Sequence, residues 1–328
     1  MPDNSKKNKI EVIGNNYPFF RYVDGIRDGL NLNYNPVSGV EAFKAVLENK
    51  PFEVNEFSLA NYSMMKDRGV DWMTAIPIFL NRDFRHGSLY VSKDSEIIHP
   101  SNLVGKTVGA KEFSQTAGVW WRGTMIDQYD LHWSDINWVT GKNQRFTPPE
   151  EASVEIIEGD LEQLVVEGSI DAFLAPVTKD EQKPYEERKL RPIFPDTESE
   201  ERKYFKKTGI YPLNHTIVIH NNTLLEHPSL PLTLFNAFCH SKEKFYKEEG
   251  KRNPWGEDTN NDYMSFGLSD KNLEIVNILL GYLFEQKLIT KIPKHLKFIM
   301  NVINYHLINI FLISTFMIKI LIGFLIEN

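Results

Sequence analysis

Two arginines and a histidine lie close together at Arg82, Arg85 and His86, in a segment that connects two predicted apolar strands at 72–79 and 88–91. Arginine can bind a carboxylate through paired hydrogen bonds, and histidine can transfer a proton near neutral pH. A solvated loop would explain the same residues. A segment that bridges two lobes would instead bring both chemistries to a ligand, and on that basis we predict a site for a small carboxylate.

A second candidate position is Glu56, which follows a predicted short strand at 52–54 and precedes Ser58, a residue suited to capping a helix. A carboxylate placed between a strand and a helix can face a cleft. For this segment alone, the simpler interpretation is that Glu56 is solvated and that Ser58 only caps the helix.

A third candidate region is a predicted strand–loop–helix turn, in which Gln115 and Thr116 stand at the start of the helix. Free backbone N–H groups at such a start favour an anion. Trp120, a second tryptophan and Arg122 follow within two turns. Two adjacent tryptophans cannot face one direction, so we expect one in the core and the other available to a ligand ring.

Histidine 215 lies on a predicted strand and could equally be a hydrogen-bonded core residue. His86 and His215 are too far apart in sequence to indicate a shared metal, so we predict no metal site. The chain has no Walker loop, dinucleotide fingerprint, nucleophile elbow or HExxH motif, and the usual support for ATP, NAD or serine-hydrolase chemistry is therefore missing.

Strands alternate with helices along the chain, which is the pattern of an α/β protein. The predicted strands are 10–14, 52–54, 72–79, 88–91, 107–110, 136–139, 170–174 and 213–220, and the predicted helices are 40–49, 59–66, 116–129, 160–167, 231–247 and 271–286. The order predicts two lobes with a ligand cleft at the carboxyl ends of the strands. We assign 9–92 and 206–291 to lobe 1, 93–205 to lobe 2, and 292–328 to an apolar tail.

The overall charge disfavours a nucleic-acid partner, because 37 lysines and arginines stand against 44 aspartates and glutamates in 328 residues, a net charge of −7. The single cysteine, Cys239, excludes an intrachain disulfide framework and a cysteine-based zinc cluster. The oligomeric state is left open.

The two ends of the chain bear on its location. The first apolar run, Ile10 to Ile13, is too short for a secretion signal, so we expect a cytoplasmic protein. Near the other end, Leu307 to Ile326 is apolar except for Lys319 and has the length of a membrane helix, which would leave the body on the cytoplasmic side. A buried terminal helix, or translation past a shifted reading frame, would explain the same segment. The abrupt loss of acidic residues and alanine favours the reading-frame explanation.

Five segments in this order resemble the 4,5-dihydroxyphthalate decarboxylases and related proteins: FEVNEFSLANY, IPIFLNRDFRHGSLYV, NLVGKTVGAKEFSQTAGVWWRG, YPLNHTIVI and NPWGED. The resemblance covers about residues 10–290, and its most specific parts are RxFRH and TAxVWxRG. It departs at Gly87, where another small residue is expected, and in the tail. That family is similar in fold to type II periplasmic solute-binding proteins, and the resemblance implies no cofactor.

The resemblance implies decarboxylation of a dihydroxylated aromatic dicarboxylate, which requires a cationic clamp, a base for the phenol and an acid for the ring carbon. His86 or His215 is the expected base, and Glu56 the expected acid if burial keeps it protonated. The side chains expected to bind the substrate are Ser58, Arg82, Arg85, Gln115, Thr116, Trp120 and Arg122. The alternatives are a non-catalytic solute-binding protein for a small carboxylate, and an enzyme or sensor for another carboxylate such as a pyrimidine precursor.

Overall fold

In the computed structural model of the chain, the described residues are 8–293. The predicted tail lies outside them from position 294 onward, and so does the apolar segment 307–326. Within residues 8–293, no helix combines the length and the apolar character that crossing a bilayer requires.

The first sheet, which we call lobe 1 together with its helices, has six strands. In spatial order they are β2 (Gly25–Arg27), β3 (Leu30–Pro36), β1 (Lys9–Gly14), β4 (Val54–Ser58), β12 (Leu213–His220) and β5 (Met73–Arg82). Strand β1 runs parallel to β3 and β4, whereas β12 is antiparallel to both β4 and β5. The carboxyl ends of β1, β4 and β5 therefore share one edge with the amino end of β12.

The second sheet, which we call lobe 2 together with its helices, also has six strands. They are β11 (Leu190–Pro192), β6 (Leu89–Ser92), β10 (Ala172–Leu174), β7 (Thr107–Ala110), β8 (Asn137–Thr140) and β9 (Glu155–Ile156). Strand β6 hydrogen-bonds to β10 and β11, so the predicted assignment of this strand to lobe 1 is wrong. A single short apolar strand carries no sequence signal for the sheet that it joins, and the remaining lobe boundaries stay predictions.

Eight helices lie among the described residues. They are α1 (Gly39–Leu47), α2 (Leu59–Asp67), α3 (Thr116–Tyr129), α4 (Leu161–Val166), α5 (Thr197–Thr208), α6 (Asn221–Glu226), α7 (Leu230–Glu249) and α8 (Asp270–Glu285). Helix α2 begins where Ser58 accepts a hydrogen bond from the Asn61 N–H, which is the cap predicted for it.

The apolar core is organised by the two sheets. The largest cluster of buried side chains runs through both lobes, from Phe57 and Leu213 in lobe 1 to Val108 and Leu174 in lobe 2. A second cluster covers the other face of the first sheet beneath α7, and a third lies between the second sheet and α4. The chain passes between the lobes at 83–88 and again at 193–212, so the segment that holds Arg85 is an interlobe crossing.

Candidate active site

A fully buried carboxylate, Glu56, lies in the middle of β4 and accepts three hydrogen bonds. The Tyr17 hydroxyl donates to Oε1 at 2.7 Å, and the Asn15 backbone N–H donates to Oε2 at 2.6 Å. The His215 ring nitrogen Nδ1 lies 2.6 Å from Oε1. The prediction that Glu56 follows a strand ending at 54 is wrong, because Glu56 is itself a strand residue that strand pairing and these donors hold in the interior.

The protonation state of Glu56 follows from the balance between burial and these donors. Burial alone raises the pKa of Glu56. The hydrogen bond and charge of His215, together with the bonds from Tyr17 and Asn15, lower it by more than burial raises it, so the pKa lies below its ordinary value. Glu56 is therefore a carboxylate at neutral pH. This protonation state does not fit the expected role of Glu56 as the acid that protonates the ring.

Close packing at the end of β1 brings the donors over Glu56. A Cβ on Gly14 would lie 2.7 Å from the Tyr34 hydroxyl oxygen and 3.3 Å from Glu56 Oε2, so a larger residue would push the strand away. The Tyr34 hydroxyl donates to the Asn15 carbonyl at 2.6 Å, which fixes the loop that follows β1. Burial and the neighbouring Glu56 charge raise the pKa of both tyrosines, so both donate as neutral phenols.

Strand pairing positions His215 opposite Ser58 in the β4–β12 ladder. The register of β12 against β5 is irregular on both sides of His215, which alters the regular alternation of its side chains. The ring is 18% exposed and packs edge-on against Phe43, with 4.9 Å between the ring centroids. With Nδ1 engaged by Glu56, the other ring nitrogen, Nε2, has no partner among residues 8–293 and is available to a ligand.

The two lobes meet beside this pair. The hydroxyl oxygens of Ser58, which caps α2, and Thr116, the first residue of α3, lie 2.6 Å apart, and both residues are buried. Gln115, the residue before α3, makes no capping bond with its side chain. The first N–H groups of α3 therefore lie at the interlobe contact without a side-chain cap, where they favour an anionic group.

An arginine that the sequence analysis did not single out also joins the lobes here. Arg145, in the loop after β8, donates through Nη1 to the Asn61 side-chain oxygen of lobe 1 at 3.0 Å. Its Nε lies 3.0 Å from Glu112 Oε1 in lobe 2. The position of Arg145 just beyond the carboxyl end of a predicted strand was the one sequence signal that could have indicated it.

The predicted clamp residue Arg82 is buried, and both of its terminal nitrogens are bonded to the protein. Its guanidinium donates to the Ser265 carbonyl at 2.8 Å, the Asn272 side-chain oxygen at 2.7 Å and the Tyr211 carbonyl at 3.4 Å. Burial lowers the pKa of Arg82 to about 10, so it remains charged at neutral pH. These contacts fasten the end of β5 to the returning chain and α8.

The neighbouring Arg85 and His86 are also buried in the crossing between the lobes. Arg85 pairs with Asp83 at 3.0 Å, and the His86 nitrogen Nε2 lies 2.9 Å from the Gln128 side-chain oxygen. Burial lowers the pKa of His86, which favours the neutral ring. The hydrogen-bond partners of Arg82, Arg85 and His86 are therefore different from those of Glu56 and His215.

Helix α3 buries both of the predicted ligand-binding residues in its middle. Trp120 donates its ring N–H to the Leu213 carbonyl at 2.8 Å, and Arg122 donates to the Phe113 carbonyl at 2.6 Å and the Gln286 side-chain oxygen at 2.8 Å. The expectation that one tryptophan faces a ligand fails for a physical reason: residues 116–125 are all buried, because α3 packs against α2 and α8, and the Trp121 ring packs against Trp138 of β8. Arg122 likewise lies inside the core, with its guanidinium over a phenyl ring.

No group of three or more histidine, cysteine, aspartate or glutamate side chains among residues 8–293 is arranged to hold a metal ion. The described site offers a carboxylate–histidine pair beside hydrogen-bond donors and a cation.

No family model matches the chain. A curated 4,5-dihydroxyphthalate decarboxylase of Comamonas testosteroni is 31% identical over 215 residues, which cover 62% of this chain and 64% of that protein. A second, of Pseudomonas putida, is 29% identical over 185 residues, 52% of this chain and 71% of that protein. The resemblance to the 4,5-dihydroxyphthalate decarboxylases is confirmed. The chain spans somewhat less than two thirds of the length of the Comamonas decarboxylase, namely 64%.

Two solved structures share the fold. A mutant of DszB in complex with biphenyl-2-sulfinic acid has a TM-score of 0.53 at 13% identity, and the match covers 91% of this chain and 99% of that one. A putative periplasmic sulfonate-binding protein of Methylobacillus flagellatus has a TM-score of 0.50 at 11% identity, covering 87% and 88%. These similarities and the two sheets confirm the predicted two-lobed fold of the type II periplasmic-binding-protein class.

Proposed function

We propose that this chain decarboxylates 4,5-dihydroxyphthalate to protocatechuate and CO2 in the cleft between its lobes. The observation that carries the proposal is a histidine held by a buried carboxylate at the interlobe contact, in a chain related to two 4,5-dihydroxyphthalate decarboxylases. The fold alone would be compatible with binding or with catalysis. The pair of Glu56 and His215 adds a group that can move a proton.

The reaction defines what the site must supply. The ring carbon that bears the departing carboxylate gains one proton, its bond to the carboxylate carbon breaks, and CO2 leaves while the ring regains aromaticity. The phenol para to that carbon supplies electron density. One carboxylate stays on the product and one proton is consumed, so the site needs a proton donor aimed at the ring and a partner for the retained negative charge.

His215 is the proton donor in this proposal, and Glu56 is its positioning residue. The Glu56 carboxylate holds Nδ1–H, so Nε2 points its proton toward the ligand and recovers it from solvent after turnover. A positioned acid is worth about 10²–10⁴ in rate. Ser58, Gln115 and Thr116 remain proposed contacts of the ligand's anionic groups.

A solute-binding protein without catalysis is the second candidate, supported by the fold that the chain shares with a periplasmic sulfonate-binding protein. Both candidates place a small carboxylate in the same cleft. They differ in whether the bound compound loses CO2.

The deciding experiment is to incubate the purified chain with 4,5-dihydroxyphthalate and to follow protocatechuate by chromatography. We expect turnover by the parent chain, a loss of about 10²–10⁴ in kcat for His215→Gln, and no loss for the matched control His240→Gln at an exposed position. Tight binding without turnover would favour the solute-binding function. Equal activity in His215→Gln and His240→Gln would remove His215 from the mechanism.

A further inference from the structure

A loop of lobe 2, residues 141–149, reaches across to lobe 1. Arg145 bonds to Asn61 on α2, and the neighbouring Phe146 packs its buried ring under Arg68, whose guanidinium carbon lies 4.8 Å from the ring centroid. Two consecutive side chains of one loop therefore contact the other lobe, one on α2 and one at the residue that follows it. A change in the separation of the lobes would break both contacts.

The loop is anchored firmly on its own lobe. The Gln144 side-chain amide donates to the carbonyls of Lys111 at 3.1 Å and Gly141 at 3.0 Å, and its oxygen accepts the Phe113 N–H at 3.1 Å. Glu112, whose side chain is only 12% exposed, holds Arg145 from the same side. Arg145 is thus positioned by lobe 2 before it reaches lobe 1.

The guanidinium has donors to spare for a ligand. Arginine carries five N–H donors, and the described residues engage two of them, through Asn61 and Glu112. The side chain is 27% exposed, so the remaining donors are accessible. Asn61 also donates its backbone N–H to Ser58, which stands opposite His215 in the sheet. Two residues, Asn61 and Ser58, therefore connect Arg145 to the proposed proton donor.

We propose that Arg145 binds the carboxylate that the aromatic ligand keeps after CO2 is lost, and that its bond to Asn61 makes this binding depend on closure of the lobes. The identity of the ligand rests on the function proposed above. The planar fork of the guanidinium matches a carboxylate. The Ser58–Thr116 hydrogen bond is a second contact between the lobes. In this proposal Arg145 takes the role of the cationic clamp that was predicted for Arg82, Arg85 and Arg122.

The test is isothermal titration of the full chain with protocatechuate, which carries the carboxylate, and with catechol, which lacks it. We expect Arg145→Gln to weaken protocatechuate binding about 30-fold and to leave catechol binding within about threefold. Arg145→Lys, which keeps the charge but loses the fork, should fall between the parent chain and Arg145→Gln. Lys142→Gln is the matched control, because Lys142 is an exposed cation of the same loop that pairs with Glu158, and it should change neither affinity.

Three results would overturn the inference: protocatechuate binding that is unchanged in Arg145→Gln, an equal loss for both ligands, and no detectable protocatechuate binding by the parent chain. An equal loss would mean that Arg145 only supports the fold, and thermal unfolding of each variant measures that directly. The inference and the proposed function fail separately. Arg145-dependent binding without turnover would refute the function alone, whereas turnover with unchanged binding in Arg145→Gln would refute the inference alone.

Discussion

Replacing Glu56 with glutamine tests the proposed pair most stringently, because the side chain keeps its size and loses its charge. Glu56 is completely buried and accepts from Tyr17, Asn15 and His215. A glutamine has one acceptor oxygen. Its NH2 group would take the place of the other carboxylate oxygen of Glu56, where it would face a donor and not an acceptor. At least one buried donor is then left without an acceptor, and an imidazolium form of His215 loses its counter-charge.

The magnitude follows from those contacts. A hydrogen bond to a charged group contributes about 1.5–3 kcal/mol, and the bond to His215 is the one that matters in the transition state. A loss of about 3 kcal/mol corresponds to roughly a 100-fold lower kcat, since each 1.36 kcal/mol changes a rate about tenfold. KM should change less than kcat, because Glu56 contacts His215 and not the ligand.

The assay is steady-state formation of protocatechuate by Glu56→Gln and by a matched control, Glu53→Gln. Glu53 lies just before β4 and also accepts a backbone N–H, from Glu11 at 2.6 Å, but has no bond to a histidine. Circular dichroism and urea unfolding establish that both variants fold. A folded Glu56→Gln chain with kcat within threefold of Glu53→Gln would refute the reasoning.

Two further predictions concern stability. Arg122→Met should lower the free energy of unfolding by about 2–5 kcal/mol, measured with urea, because it leaves two buried acceptors, the Phe113 carbonyl and the Gln286 side-chain oxygen, without their donor, at about 1–3 kcal/mol each. The KM of the folded chain should stay unchanged. Burial raises the pKa of Glu201 to about 7, so folding favours its protonated form and its contribution to stability is lost as the pH rises from about 4.5 to 7. Glu201→Gln should therefore be more stable than the parent chain at pH 8 by about 1 kcal/mol, a value reduced for partial solvent exposure, and the difference should vanish below pH 4.5. A constant difference across that range would contradict this assignment.

The apolar periodicity and the turn residues of a segment predicted those helices and strands whose signal lies within the segment itself. The strand at 107–110, the helix at 116–129 and the strand at 213–220 coincide with β7, α3 and β12. Strand β3 and helix α5 were not predicted. The asparagines that alternate with Leu30, Leu32 and Tyr34 resemble turn residues, and α5 is so strongly charged that it shows little apolar periodicity.

The candidate site depended on contacts that no local pattern contains. Glu56 and His215 are 159 positions apart, and only the pairing of β4 with β12 brings them together. Arg82 and Arg85 are residues of the type that binds a ligand carboxylate. In the structure they bond to protein groups instead, and the sequence does not distinguish these two roles. Arg145 acts through a partner in the opposite lobe, which becomes visible only once the lobes are assembled.

The most direct measurement of the central claim is a crystal structure of the His215→Gln variant with 4,5-dihydroxyphthalate bound. The account predicts the aromatic ring at the interlobe contact, with the carbon that loses CO2 within roughly 3–3.5 Å of the side chain at position 215. A ring bound at the crossing beside Arg82 and Arg85, with position 215 out of reach, would contradict it.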